Sequence, residues 1–346
     1  MTTATKPGEP DYSDPNSEGY VEEGPGPQWQ AGQCPVTGSG GGPVAAQRRA
    51  PVPAQLTEEL TLDRVRIHIP DTYRSPRKKP AQLADSLDFW MFAGAAANVA
   101  MQFAHQGVAA GVMESQVESG ALMVHPWKRL RTTAAYLATA VLGTDEDKKA
   151  MREAVNVAHR QVRSRPGSKV KYNAFDRHLQ MYVAAAIYIG FEDTHQMLHG
   201  KMSAEELEAF YQGADTFGTT LQVHPDMWPK TRADFDAYWL EACKGVVCDD
   251  EFRAYIDDLL HLRMVAWPLR IVGGGLLQFL TAGFLPPHFQ EQMGVEWSES
   301  DQRRFEHLFL FVGFVNRFIP KFIRFAGTHT MMRDVRRRIR KQKALI

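Results

Sequence analysis

Gly107-Val-Ala-Ala-Gly-Val-Met-Glu114, Arg129-Leu-Arg-Thr-Thr133-Ala-Ala-Tyr136 and Val157-Ala-His159-Arg-Gln-Val162 are three helical phrases. In each, side chains of like character recur three or four residues apart, the spacing that stacks them on one face of an α-helix. The first phrase is small and apolar and ends in a carboxylate. The second sets Arg129 and Thr133 one turn apart. The third places His159 four residues after Val155 and three before Val162, on an apolar helix face.

Outward from these phrases the helical reading continues. Thr144-Asp-Glu-Asp147, Ser203-Ala-Glu-Glu206, Thr231-Arg-Ala-Asp234 and Ser298-Glu-Ser-Asp301 each set a hydroxyl cap three residues before a carboxylate. Gly143 and Gly200 stand where helices end. No long apolar–polar alternation and no Asn-Gly turn marks a hairpin. The chain therefore reads as all-α, a single large helical domain with a disordered N-terminal segment.

The 346 residues suffice for one large or two ordinary domains. Residues 1–55 are rich in Gly, Pro, Ser and Glu and hold almost no aliphatic run, so they cannot bury enough surface to offset ordering entropy. Residues 56–85 form a transitional arm in which Leu60-Thr-Leu62 and Val65-Arg-Ile67-His-Ile69 alternate briefly. Residues 86–330 form the helical domain, and 331–346 a basic C-terminal tail.

Charge and cysteine content narrow the class. Net charge is zero, so composition gives nucleic acid no role as a partner. Three cysteines, Cys34, Cys243 and Cys248, form no C-x-x-C and no disulfide framework, which fits a reducing compartment. The N-terminus lacks an apolar signal core, so a cytoplasmic location is expected. Phe89–Met113 carries no formal charge and is long enough to span a bilayer, but Asn98, Gln102 and His105 place a polar stripe on one face. We read it as a buried helix pair. The run Leu308–Phe325 is largely apolar, broken by Arg317, Lys321 and Arg324, and the basic tail follows. That pattern suits peripheral membrane contact through the tail.

The candidate chemistry starts with His159. A buried imidazole is held neutral, the form in which it ligates metal; the same pattern also fits a core histidine bonded to a carbonyl. On the Arg129 helix, Trp127, Leu130, Ala134, Leu137 and Val141 form an apolar seam, and Arg129, Thr133, Tyr136 and Ala140 a stripe beside it. An arginine beside such a seam pairs with an anion, either a structural carboxylate or a bound ligand's. Glu114 suits an acid or base if burial raises its pKa, and equally suits a cap or a partner for Arg129. A separate set, Glu192, His195 and His199, combines E-x-x-H with H-x-x-x-H and gives an alternative reading as a non-haem metal site.

Taken in order, these segments resemble the latex-clearing-protein and MpaB-type oxygenase family. The resemblance rests on V-A-A-G-V…E, R-L-x-x-T and V-x-H-x-x-V. It also rests on Phe210-Tyr211, Gly218, Trp228-Pro-Lys-Thr231 and Phe235-x-x-Tyr238, and on Pro268-Leu-Arg270, one residue shorter than the family's P-x-x-R. It covers roughly residues 85–330. It implies an all-α protein binding haem b, with His159 as proximal iron ligand, Arg129 and Thr133 lining the haem pocket, and Glu114 as the matching base. It further implies oxidation of a hydrophobic small molecule by dioxygen or peroxide. Rubber-cleaving members carry a lysine where this chain has Thr132, so the distal position is expected to be open. The W-V-H-A-T segment of many relatives reads Tyr182-Val-Ala-Ala-Ala186 here. A haem-binding sensor or storage protein without turnover is the other reading.

Overall fold

Reciprocal capping boxes form at Thr144/Asp147, Ser203/Glu206 and Ser298/Asp301 in the computed structural model, while Thr231 caps through its hydroxyl to the Asp234 N–H. The structure describes residues 59–71, 80–114, 122–261, 263 and 267–346, without the side chains of 268–272. The segment 1–55 and Cys34 lie outside the described residues, as do the side chains of Pro268-Leu-Arg270.

The architecture is all-α, one helical domain. The helices are α1 (Ala95–Phe103), α2 (Gln106–Met113), α3 (Pro126–Leu142), α4 (Asp145–His159), α5 (Arg177–His199), α6 (Ala204–Tyr211), α7 (Thr216–Thr219), α8 (Arg232–Lys244), α9 (Asp250–Leu260), α10 (Trp267–Phe284), α11 (Pro287–Met293), α12 (Glu299–Asn316), α13 (Lys321–Arg324) and α14 (Ala326–Arg340). Arg163 and Asn173 form an isolated antiparallel bridge.

Helix α5 is the axis. It is buried on nearly every side from Gln180 to Leu198, as a central helix must be when α1, α7, α10 and α12 all pack on it. The α1 crossing is close because Gly190 carries no Cβ: one added there would lie 2.2 Å from Asn98 Nδ2. That amide donates to the Ala186 carbonyl at 2.5 Å, and Gln102 donates in turn to Asn98. The polar stripe of residues 98–105 is thus satisfied inside the protein. The chain turns at His105, whose ring accepts from the Gly107 N–H to cap α2. No described helix is long and apolar enough to cross a membrane.

Two expectations change. The transitional arm is fixed to the core: Val65 and Ile67 are buried, and Trp239 Nε1 donates to the Val65 carbonyl. The segment read as a basic tail is instead α14 and a short extension, docked on α3 and α4. Met332, Val335 and Leu345 are buried, and a second apolar cluster joins Val335 and Leu345 to Ala135, Met151 and Val155. The Arg336 guanidinium donates to Asp147 and Arg338 to Asp334. The arginines mask an amphipathic helix whose apolar stripe is sparse, which is why counting charge made it a tail.

Candidate functional site

The apolar seam expected along α3 is covered only in its C-terminal half. Ala134, Ala135, Ala138, Thr139 and Ala140 are buried, small residues that let α14 approach closely. In the first turns Trp127 is 65% exposed and Leu130 42%, and Arg129 and Thr133 are exposed beside them. Exposure has different meanings for these residues. The Arg129 guanidinium is accessible, yet burial by surrounding protein lowers its pKa, with Tyr255 acting in the opposite direction. Arg129 thus keeps contact with solvent while nearby protein disfavours its charge. Among the described residues no carboxylate pairs with it.

His159 is the last residue of α4 and lies within reach of the Arg129 charge. Its ring is half-buried and meets Phe175 edge-on, with centroids 6.3 Å apart. Burial first, and then the nearby Arg129 charge, bring its pKa down to about 4, so the imidazole is neutral at physiological pH. Its Nδ1 is buried and has no hydrogen-bond partner among the described residues. A buried polar nitrogen left unpaired costs about 1–3 kcal/mol.

The predicted stripe on α3 divides. Arg129 and Thr133 stay exposed, whereas Tyr136 donates to the Phe217 carbonyl at 2.6 Å and belongs to the packing of α7. Arg131 turns away, to the Leu345 carbonyl at 3.3 Å and toward Asp334. Thr132 returns its hydroxyl to the Arg129 carbonyl at 3.0 Å. Glu114, the C-cap of α2, is held elsewhere: its Oε2 accepts from Ser168 at 2.6 Å and from Tyr172 at 3.1 Å. Gly111, one turn earlier, faces Tyr172 and Val162, so α2 and the segment after α4 pack together. The structure therefore brings His159 and Arg129 together, with Thr133 one turn on, and places Glu114 against a different pair. Tyr255 is the residue the sequence reading missed. Phe252, Tyr255, Ile256 and Leu259 recur at helical spacing, which reads as ordinary core.

The alternative metal set does not assemble. Glu192 lies in a buried ionic cluster. Arg232 grips it with two hydrogen bonds, at 2.7 and 2.8 Å, and Arg66 and Tyr188 also donate to it. Burial pushes its pKa up, but Arg66 and Arg232 outweigh that and leave it below the usual range. Asp193 accepts from Arg66 at 2.5 Å, and burial holds its pKa up at about 6. His195 meets the His199 and Phe210 rings at tilted angles, with centroids 4.6 and 5.0 Å away. Among the described residues no three His, Cys, Asp or Glu side chains are placed to hold an ion. The E-x-x-H spacing was fulfilled on one helix, but the neighbouring arginines claimed the carboxylate. Tyr211, Trp228 and Phe235, from the later motif block, surround Tyr188 and wall off this cluster. Cys243 and Cys248 are buried free thiols whose pKa values burial raises.

The catalytic-domain model of the family described as ER-bound oxygenase mpaB/B′ and rubber oxygenase matches residues 85–314. An uncharacterized protein of Mycobacterium bovis and one of Mycobacterium tuberculosis are each 47% identical to this chain over 225 residues, 65% of this chain and 88% of the relative. No solved structure matches. The matched residues include the helices that carry Arg129, Thr133 and His159, and by that match the chain belongs to the mpaB/rubber oxygenase family and carries its oxygenase catalytic domain.

Proposed function

We propose that this protein is a haem b-dependent oxygenase or peroxidase-like oxidoreductase acting on a hydrophobic or aromatic small molecule, with His159 as the proximal iron ligand. The observation that carries the reading is a neutral imidazole with an unpartnered ring nitrogen, beside an arginine that no described carboxylate neutralises. The donor set fits this group. A bare ion needs three or four protein ligands. An iron already held by four porphyrin nitrogens needs only one imidazole from the protein. The apolar Trp127 and Leu130 side chains, open at the start of α3, suit the body of a macrocycle.

Charge placement supports the same assignment. Lys128, Arg129 and Arg131 occupy the first turns of α3, at the positive end of the helix dipole. Cations there oppose helix stability, whereas an anion is favoured. Arg131 is engaged by Leu345 and Asp334, which leaves Arg129 to bind a propionate.

When bound, haem supplies the redox chemistry with dioxygen or peroxide, and the surrounding protein tunes it. The chain's own part is narrower. His159 offers a lone pair that no proton occupies above about pH 4. Arg129 would donate hydrogen bonds to a propionate of the group. The Thr133 hydroxyl offers a second donor one turn along. Glu114, which the resemblance matches to a base, is held by the Ser168 and Tyr172 hydroxyls away from His159 and Arg129 and takes no part in this assignment. An apolar or aromatic substrate would pack on the open Trp127 and Leu130 side chains.

The test is the absorption spectrum of the purified protein and the identity of its extracted chromophore. His159→Ala should lose haem while keeping its helical circular dichroism. Full haem occupancy and an unchanged spectrum in that variant would sink the assignment.

A further inference from the structure

Helix α14 docks by one face, and its opposite face carries a row of cations. Thr328, Met332 and Val335 are its buried side. Arg333, Arg337, Arg340 and Lys341 follow at the i, i+4, i+7, i+8 spacing that aligns them on the other side, and all four are exposed. Lys343, just beyond the helix, is exposed too. The carboxylates bonded to α14 side chains are already engaged: Asp147 accepts from Arg336, and Asp334 accepts from Arg338 and faces Arg131. Among the described residues none of the five outer cations forms an ion pair. Like charges one turn apart, Arg333 with Arg337 and Arg337 with Lys341, work against the helix. The helix dipole offsets this in the last turn, at Arg337 and Arg340, but not at Arg333. In a chain of zero net charge, this face is a local field that fits an anion.

The same chain supplies one. Between Lys6 and Arg48 the sequence holds no Lys or Arg, and Glu9, Asp11, Asp14, Glu18, Glu22 and Glu23 fall within fifteen residues. Those residues lie outside the described ones. From Glu23 to Glu59, the first described residue, the chain can extend over about 120 Å, against ~50 Å for the breadth of a compact domain of this length. Tethering favours this occupant over a separate one, because a segment on a linker of this length meets the face at an effective concentration on the order of a millimolar. Tyr12 and Tyr20 stand among the carboxylates, and arginine suits both groups, bidentate on a carboxylate and stacked on a ring. We propose that the acidic segment Glu9–Glu23 docks in cis on the cationic outer face of α14 and masks it from other polyanions. The contact is electrostatic and confined to the surface, so it leaves the core unchanged and salt dissolves it.

Carbodiimide coupling, which joins a lysine amine to a carboxylate in contact with it, tests this on the full chain with whatever cofactor it carries. In low salt Lys341 and Lys343 should couple to residues 9–23 of the same chain about fivefold more than the exposed Lys128 and Lys230 do, and 1 M salt should remove the difference. Arg333→Gln/Arg337→Gln/Arg340→Gln should lower that coupling by about fivefold while helical circular dichroism is retained, because the three side chains are exposed. A second variant leaves the helical domain untouched. Glu9→Gln/Asp11→Asn/Asp14→Asn/Glu18→Gln/Glu22→Gln/Glu23→Gln should raise the acylation rates of Lys341 and Lys343 by about threefold and leave those of Lys128 and Lys230 unchanged. Coupling spread evenly over the exposed lysines, coupling between two chains, or acylation rates that the neutralised segment does not alter overturns the proposal. So does binding of phosphatidylserine vesicles or of RNA with equal affinity by the wild type and the neutralised variant, since the face would then be open to a separate partner.

Discussion

Acidification should destabilise the metal-free protein in part through His159. Its imidazole titrates at an ordinary 6.5 when unfolded and at about 4 in the fold, lowered first by burial and then by Arg129. As pH falls below 6.5 the unfolded chain takes up this proton and the folded chain does not. Stability attached to His159 is therefore fully present above pH 6.5 and is lost as pH falls toward 4. Each pKa unit corresponds to about 1.4 kcal/mol, so the whole window amounts to about 3 kcal/mol and the fall from about pH 7.5 to 5 to about 2. The ring is only half-buried, so these are upper figures. Urea unfolding followed by circular dichroism, on the wild type and on His159→Gln across this range, isolates the effect because every other titrating group is shared. The wild type should lose stability relative to the variant as pH falls. Parallel curves would refute a neutral buried imidazole. A relative gain in stability on acidification would mean that His159 faces an anion, and the ligand assignment would fall with it.

Arg129→Ala should raise the His159 titration midpoint, followed by NMR, and lower haem retention. Arg131→Ala should leave both unchanged and instead loosen the C-terminal extension, because Arg131 reaches the Leu345 carbonyl. Glu192→Gln should cost about 3 kcal/mol or more in urea unfolding, because Arg66 and Arg232 would keep their buried charges without the shared carboxylate. A chain beginning at residue 56 should keep its melting temperature. One beginning at residue 72 should melt markedly lower, since it lacks Val65, Ile67 and the Arg66 contribution to that cluster.

Much of this was legible before any coordinates. Helix starts are local events: a hydroxyl at the cap and a carboxylate three residues on satisfy backbone N–H groups whatever the rest of the chain does. The boxes at Thr144, Ser203 and Ser298 accordingly form as read. Periodicity likewise put His159 and Arg129 on helix faces of defined character. Periodicity cannot say what faces a helix, however. It made a seam of Trp127 and Leu130, which the fold leaves open, and of Ala134, which it buries, because the covering element α14 lies almost two hundred residues away.

The same limit explains the other differences. Glu192, His195 and His199 have ligand spacing along α5, but Arg66 and Arg232 arrive from remote segments and take the carboxylate. The run of arginines after residue 333 suggested a solvated tail, yet Met332, Val335 and Leu345 sufficed to dock it once α3 and α4 supplied Ala135, Met151 and Val155. By itself the sequence determined an all-α chain, its capped helix starts and the residue types offered on each face, because those depend on interactions within a few turns. Tertiary structure alone decided which of those faces meet. It brought Arg129 to His159, sent Glu114 to Ser168 and Tyr172, and turned the unpaired cations of α14 outward. Each of those outcomes is a contest between distant side chains for the same space and the same charge.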